Sequence, residues 1–286
     1  MLAVIAGLGA ATVFAASTLA STRASRLIGA TPTVAWVTAI GLPLALAAAL
    51  LDRSGLSPAA APWLAVSGLG NVAGLLLAYR ALRIGPVSVV APIVSTEGAM
   101  AALFAVAAGG VISPALLGAL ALVVAGGAVT AATVSGPSGD AAASLDQGST
   151  GRAAALAVVS AVLFGASLYA TGQIGRTLPV GWAALAPRAT GALLVALPMA
   201  VRGSLVLTRS AAPLVLVAGV AEVVGFSCIG LGSRSSVAVT AVLASQFAAV
   251  AVLGAVLLFG ERLSWSQRIG VLAVALGTAL VAAVRV

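Results

Sequence analysis

The sequence predicts an all-α membrane protein of ten transmembrane helices, arranged as two inverted five-helix repeats. Three observations carry this. The 286 residues are 62% hydrophobic and only 7% charged, with a mean hydropathy of +1.21. No soluble fold needs so much apolar surface. Runs of roughly 20 apolar residues, the length that spans a bilayer core as a helix, recur from end to end. The second half of the chain aligns with the first.

Taken in order, the apolar segments run Leu2–Ala20, Pro32–Leu51, Ala61–Ala81, Pro86–Ala108, Pro114–Val134, Arg152–Ile174, Pro179–Val201, Pro213–Gly232, Val237–Phe259 and Trp265–Val284. Pro32, Pro62, Pro86, Pro114, Pro179 and Pro213 fall at segment starts, where the missing N–H costs least. Trp36, Trp63, Trp182 and Trp265 also lie near segment starts, as an interfacial aromatic belt places them. In the first segment Phe14–Ser17 resembles a cleavage region, but Met1–Leu8 carries no charged side chain. A retained helix is expected there rather than a signal peptide. The one long polar stretch, Ser135–Gly151, is rich in Gly, Ser and Ala and reads as a flexible linker. It divides the chain into a first repeat over 1–135, a linker over 136–151 and a second repeat over 152–286.

Composition excludes several chemistries. There is no histidine and a single cysteine, Cys228, so the usual zinc sites and a Ser-His-Asp triad are impossible. There is no lysine either, which rules out a Walker A loop. No cofactor or metal is expected, and an enzyme is the least favoured class. The net charge of +8 comes from arginines scattered singly between apolar runs. They read as membrane flanks and not as a nucleic-acid face.

A shift of about 150 residues brings the halves into register. VFAASTLASTRASR (Val13–Arg26) overlays LFGASLYATGQIGR (Leu163–Arg176), matching Phe14 with Phe164, Ser17 with Ser167 and Arg26 with Arg176. One residue more overlays APWLAVSGLGNVAG (Ala61–Gly74) on APLVLVAGVAEVVG (Ala212–Gly225). Pro62 then meets Pro213, Gly68 meets Gly219, Gly74 meets Gly225, Asn71 meets Glu222 and Arg83 meets Arg234. Five spans per repeat is odd, so the second repeat enters from the opposite side of the membrane. Inverted repeats of this kind are a secondary-transporter architecture, with the solute site at midplane between the halves.

Two further motifs point to a family. AYRALRIGPVSVVAPI (Ala78–Ile93) resembles the junction between the third and fourth helices of an EamA-type repeat in the drug/metabolite transporter superfamily. LLFGERLSWSQRIGVLAVALG (Leu257–Gly277) resembles the Gly-Glu turn and glycine-spaced helix that close such a repeat, and Arg188 sits where family members often carry an arginine. The chain departs from the pattern at Gly109-Gly110-Val111, which stands in place of a first-half Gly-Glu turn, and at Thr38, which matches Arg188. The resemblance implies a ten-helix carrier of small metabolites, often outward.

The candidate site is the set of polar groups inside the spans. Glu222 sits mid-helix with Phe226 one turn on. An ionisable group at that depth is a functional candidate by default, here for a proton, a cation or a substrate ammonium, with a structural ion pair as the alternative. Arg188 follows Pro187 about ten residues into its segment, too deep to snorkel. It is a clamp for a substrate carboxylate or phosphate, or a permanent partner of Glu222 or Glu97. Asn71, inside Gly70-x-x-x-Gly74, is a substrate contact or an interhelical hydrogen bond. Tyr79 is an aromatic wall or an interfacial anchor. In the fourth segment Ser88, Pro92, Ser95 and Ala99 share one helical face and Glu97 points nearly opposite. Ser95 is therefore a substrate candidate, and Glu97 and Pro92 are packing or gating candidates. Pro43, Pro187 and Pro198 also interrupt apolar runs and permit kinks. Glu261 reads as a turn and helix-start carboxylate.

Nine flanking arginines (Arg23, Arg26, Arg80, Arg83, Arg152, Arg202, Arg209, Arg262, Arg268) fall on one side and four (Arg53, Arg176, Arg234, Arg285) on the other. The positive-inside rule puts both termini outside; the family resemblance implies the reverse. The expected function is secondary active export of a small polar metabolite such as an amino acid, across the cytoplasmic (inner) membrane, by alternating access of the repeats. Proton or cation coupling, with the protein a monomer or homodimer, belongs to that reading. The alternatives are an exporter of cationic drugs or quaternary amines, and a non-transporting membrane scaffold subunit.

Overall fold

The computed structural model describes residues 1–51, 58–84, 90, 93–110, 113–134, 147–247, 249–250 and 265–283. These are helical apart from short turns. The helices are α1 (Leu2–Ile28), α2 (Ala30–Leu50), α3 (Ala61–Ile84), α4 (Glu97–Ala107), α5 (Pro114–Val134), α6 (Gln147–Thr177), α7 (Val180–Val201), α8 (Ala212–Gly232), α9 (Val237–Ala244) and α10 (Trp265–Ala283). Among the described residues, six helical stretches, in α1, α2, α3, α6, α7 and α8, are long and apolar enough to cross a membrane. The shorter apolar helices are Glu97–Ala107, Pro114–Gly126 and Arg268–Gly277.

The distribution of side chains fits a lipid solvent. Small residues fill the interior: Ala10, Ala11, Ala35, Ala45, Ala183 and Ala184 are fully buried. Large aliphatic residues face out, with Leu193 61% and Leu216 53% exposed. In water that arrangement forfeits the hydrophobic effect. In a bilayer it costs nothing, and small residues let helix backbones approach closely. Gly29, the one residue joining α1 to α2, has φ +91°, a conformation favouring glycine.

Neighbours are mostly distant in sequence. α1 packs along α8 and α3 along α6, while α2 lies on α7, α4 on α9 and α5 on α10. α4 also meets α6, α9 meets α1, α2 meets α8, and α3 meets α7. The glycines of α3 and α8 make two of these crossings possible. A Cβ on Gly74 would strike the Phe164 ring, and one on Gly225 would strike the Phe14 ring. At the α3–α6 crossing Ser167 donates to the Ser67 carbonyl at 2.7 Å and Ser160 donates to the Gly74 carbonyl at 2.9 Å.

Several sequence expectations are corrected. The fourth segment is not one continuous helix: the chain turns at Ser95–Thr96, and α4 starts afresh at Glu97. The Thr96 amide and hydroxyl both reach back to the Ile93 carbonyl, at 3.2 and 2.7 Å, a three-residue turn that competes with helix continuation. Helical spacing therefore does not relate Glu97 to Ser95. The ninth segment also breaks, at Ser245–Gln246, before helix resumes at Phe247. There the Gln246 amide bonds to Leu243, one residue short of the α-helical partner. The linker gives way to helix at Gln147 rather than after Gly151, and α1 runs eight residues past Ala20. In α7 the helix widens to a π-turn over Ala192–Ala196, just before Pro198; proline lacks the N–H that a regular turn would use. Ser88, Pro92, Glu261 and residues 135–146 lie outside the described residues.

Candidate functional site

Four helices converge on Arg188. Its α7 backbone faces α2 across Gly41, where a Cβ would stand 2.7 Å from the Arg188 Cδ. Only a glycine leaves the arginine stem room. The guanidinium is fully buried, and a charge with that exposure carries a desolvation penalty of several kcal/mol unless it is paired. The pairing comes through one nitrogen. Nη2 donates to Glu222 Oε2 of α8 at 3.2 Å and to Asn71 Oδ1 of α3 at 3.2 Å. The Phe226 ring, one turn along α8 from Glu222, lies 5.4 Å from the guanidinium carbon, a cation–π contact.

Glu222 is held from its other side. Ser17 of α1 donates to Glu222 Oε1 at 2.9 Å. Phe14, one turn before Ser17, meets Phe226 edge-on with centroids 5.6 Å apart. The carboxylate is the more open partner, its side chain 18% exposed against 1% for Arg188. Glu222 and Arg188 are thus neighbours, and of the partners open to the arginine the structure selects Glu222.

The pair leaves capacity unused. Arg188 Nε and Nη1 are buried with no hydrogen-bond partner among the described residues. Together they carry three N–H donors. A buried donor left unpaired costs about 1–3 kcal/mol. The guanidinium thus keeps three donors beyond those spent on Glu222 and Asn71.

The remaining predicted residues spread around this centre. Tyr79 lies two turns beyond Asn71 on α3, half-buried, with its hydroxyl beside Ser21 of α1. Ser95 is buried in the turn before α4. Glu97 opens α4, half-buried, with its carbonyl against Gly165 of α6. Pro92 falls outside the described residues. Among these, Asn71, Arg188, Glu222 and Phe226 form one contiguous cluster. Three cluster members were not predicted: Phe14, Ser17 and Gly41. Phe14 and Ser17 did stand out as matched positions of the repeat, but nothing in the sequence said that they face Glu222.

Comparison with known proteins bears on the whole chain. No curated protein matches the sequence. Among solved structures, the crystal structure of a protein 21% identical to this chain superposes over 99% of both chains with a TM-score of 0.78, so the fold extends through both halves. Residues 1–132 match the EamA-like transporter family. Over those residues the chain is similar to the EamA-like transporter family, which is part of the drug/metabolite transporter superfamily.

Proposed function

We propose that the protein is a secondary carrier that exports a small zwitterionic metabolite, such as an amino acid, across the cytoplasmic membrane. The substrate carboxylate engages Arg188 and the ammonium engages Glu222, with Asn71 and Phe226 lining the site. The observation that carries this reading is the incompletely paired arginine: a fully buried guanidinium with Nε and Nη1 unpartnered beside a partly open carboxylate. A substrate offering both charges can replace the internal pair without stranding either. A quaternary-amine exporter would want an unpaired carboxylate, and Glu222 is paired.

Alternating access of two inverted five-helix halves is the proposed mechanism. What supports it is the pattern of neighbours. Exchange α1 with α6, α2 with α7, α3 with α8 and α5 with α10. The α1–α8 contact then becomes α6–α3 and α2–α8 becomes α7–α3; α2–α7 and α5–α10 map onto themselves. Individual contacts repeat as well. Phe14 on Gly225 answers Phe164 on Gly74, and Arg188 on Gly41 answers Thr38 on Gly191. The breaks at Ser95–Thr96, just before α4, and at Ser245–Gln246, just after α9, are 150 residues apart, at corresponding places in the fourth and ninth segments. Interrupted helices at corresponding positions are where such carriers move and bind.

The test is a thermal-shift screen of purified protein against amino acids, nucleosides, sugars and quaternary amines. An amino acid that stabilises wild type but not Arg188→Gln supports the reading. Stabilisation by quaternary amines alone, unchanged in Arg188→Gln, refutes it.

A further inference from the structure

A cavity of about 400 Å³ opens where the C-terminal ends of α4 and α6 meet the α8–α9 turn. Its lining includes Tyr169, Gln173 and Arg176 of α6, Ser233 and Ser235 of the turn, and Ser236, the N-cap of α9. This is separate from the Arg188 cluster. Arg176 lies nine residues beyond Ser167, roughly 13 Å along the helix at 1.5 Å per residue, and Ser167 bonds to Ser67, one turn from Asn71.

Three features give the cavity one electrostatic sign. Among the described residues Arg176 is its one charged lining residue, and no carboxylate lines it. The first turn of α9 forms part of the wall: Val237 and Ala238 line the cavity, while the Ser236 hydroxyl caps the next amide, Val239, at 3.4 Å. Unsatisfied amides at a helix start favour negative charge. Independently, Ser233 lines the cavity at 1% exposure, and its Oγ has no hydrogen-bond partner among the described residues. A buried hydroxyl without a partner is rare in a finished structure and marks a place for a ligand acceptor. The wall is also fixed: Arg234 Nε donates to the Gly175 carbonyl at 3.0 Å, tying the α8–α9 turn to the end of α6.

We propose that this cavity is a binding site for a small anionic group, carboxylate or phosphate, held by Arg176, the Ser233 hydroxyl and the α9 N-terminus. Its role as a station for the solute's negative end on the way to Arg188 rests on the carrier reading above; anion binding itself does not. Tyr169 lines the cavity and meets Trp63 of α3 edge-on, with ring centroids 5.7 Å apart.

The test is charge-selective labelling in nanodiscs. Ser235, exposed in the turn, is replaced in a Cys228→Ala background (Ser235→Cys), and its thiol is reacted with methanethiosulfonate reagents bearing a sulfonate or a trimethylammonium group. Rates are normalised to those of a free thiol. The sulfonate should react at least about fivefold faster, the factor expected for one nearby charge in water, and Arg176→Gln should remove most of that preference. Inorganic phosphate should slow labelling in neutral phosphatidylcholine discs. If only phosphatidylglycerol discs protect the thiol and free phosphate does not, the anion is a lipid headgroup and the solute station is overturned. Equal rates for the two reagents, or a preference that survives Arg176→Gln, overturn the anion site altogether. Labelling is independent of transport: charge preference without any carried solute sinks the carrier reading alone, and transport with no preference sinks this inference alone.

Discussion

Removing either member of the Arg188–Glu222 pair should be costly, and removing both should be much less so than the sum. In Glu222→Gln the guanidinium, fully buried, keeps Asn71 and Phe226 but loses its counter-charge. Breaking a buried pair from one side costs about 3–5 kcal/mol. The glutamine amide oxygen can still accept from Nη2, so the lower end, about 3 kcal/mol, applies. With an unfolding entropy of roughly 2.1 cal/mol/K per residue, about 600 cal/mol/K for this chain, that is a fall in Tm of about 5 °C. Arg188→Gln should cost a similar amount, since it strands a carboxylate held only by Ser17. The double variant buries two amides and no charge, so its loss should undershoot the sum by about 2 kcal/mol or more. Thermal unfolding of the four proteins in one detergent closes the cycle. Losses that add to within about 0.5 kcal/mol would refute the pairing as an energetic unit.

Other expectations follow from the same contacts. Gly225→Ala and Gly74→Ala should each lose about 1–3 kcal/mol by overpacking against Phe14 and Phe164; Phe14→Leu should restore the first but not the second, read by thermal shift. Ser17→Ala removes a charge-assisted bond to Glu222 and should destabilise by about 1.5–3 kcal/mol, while transport in proteoliposomes persists with a raised KM. Gly98→Val places bulk against Ser245 and the Ala241 carbonyl at the α4–α9 crossing; solute binding should survive while transport falls at least tenfold. If Glu222 couples solute to protons, Glu222→Gln should flatten the pH dependence of proteoliposome transport; an unchanged profile would remove Glu222 from coupling.

The sequence made six membrane-spanning stretches legible, because hydropathy and length decide them. α5 is predicted over the same residues it occupies, and α8 differs by a single residue at its start. It also marked Glu222, Arg188 and Asn71, since a polar group in an apolar span stands out. What it could not reveal is facing. A membrane helix is apolar on every side, so Ala183 inside and Leu193 outside give no period to read. Ser17 is polar enough to notice, yet only packing turns it toward Glu222. The turn at Ser95–Thr96 leaves no mark in the sequence, because serine and threonine sit comfortably within apolar helices; helical spacing across it therefore misplaces Glu97 relative to Ser95. Gly41 was invisible among 33 glycines until the arginine stem was seen against it.

A solute that binds at Arg188 and is carried should give counterflow in proteoliposomes: vesicles loaded with the stabilising amino acid should accumulate the labelled form through wild type. Arg188→Gln, shown to be folded by its unfolding transition, should give no accumulation above empty vesicles. Counterflow retained by folded Arg188→Gln at the wild-type rate would contradict solute binding at Arg188.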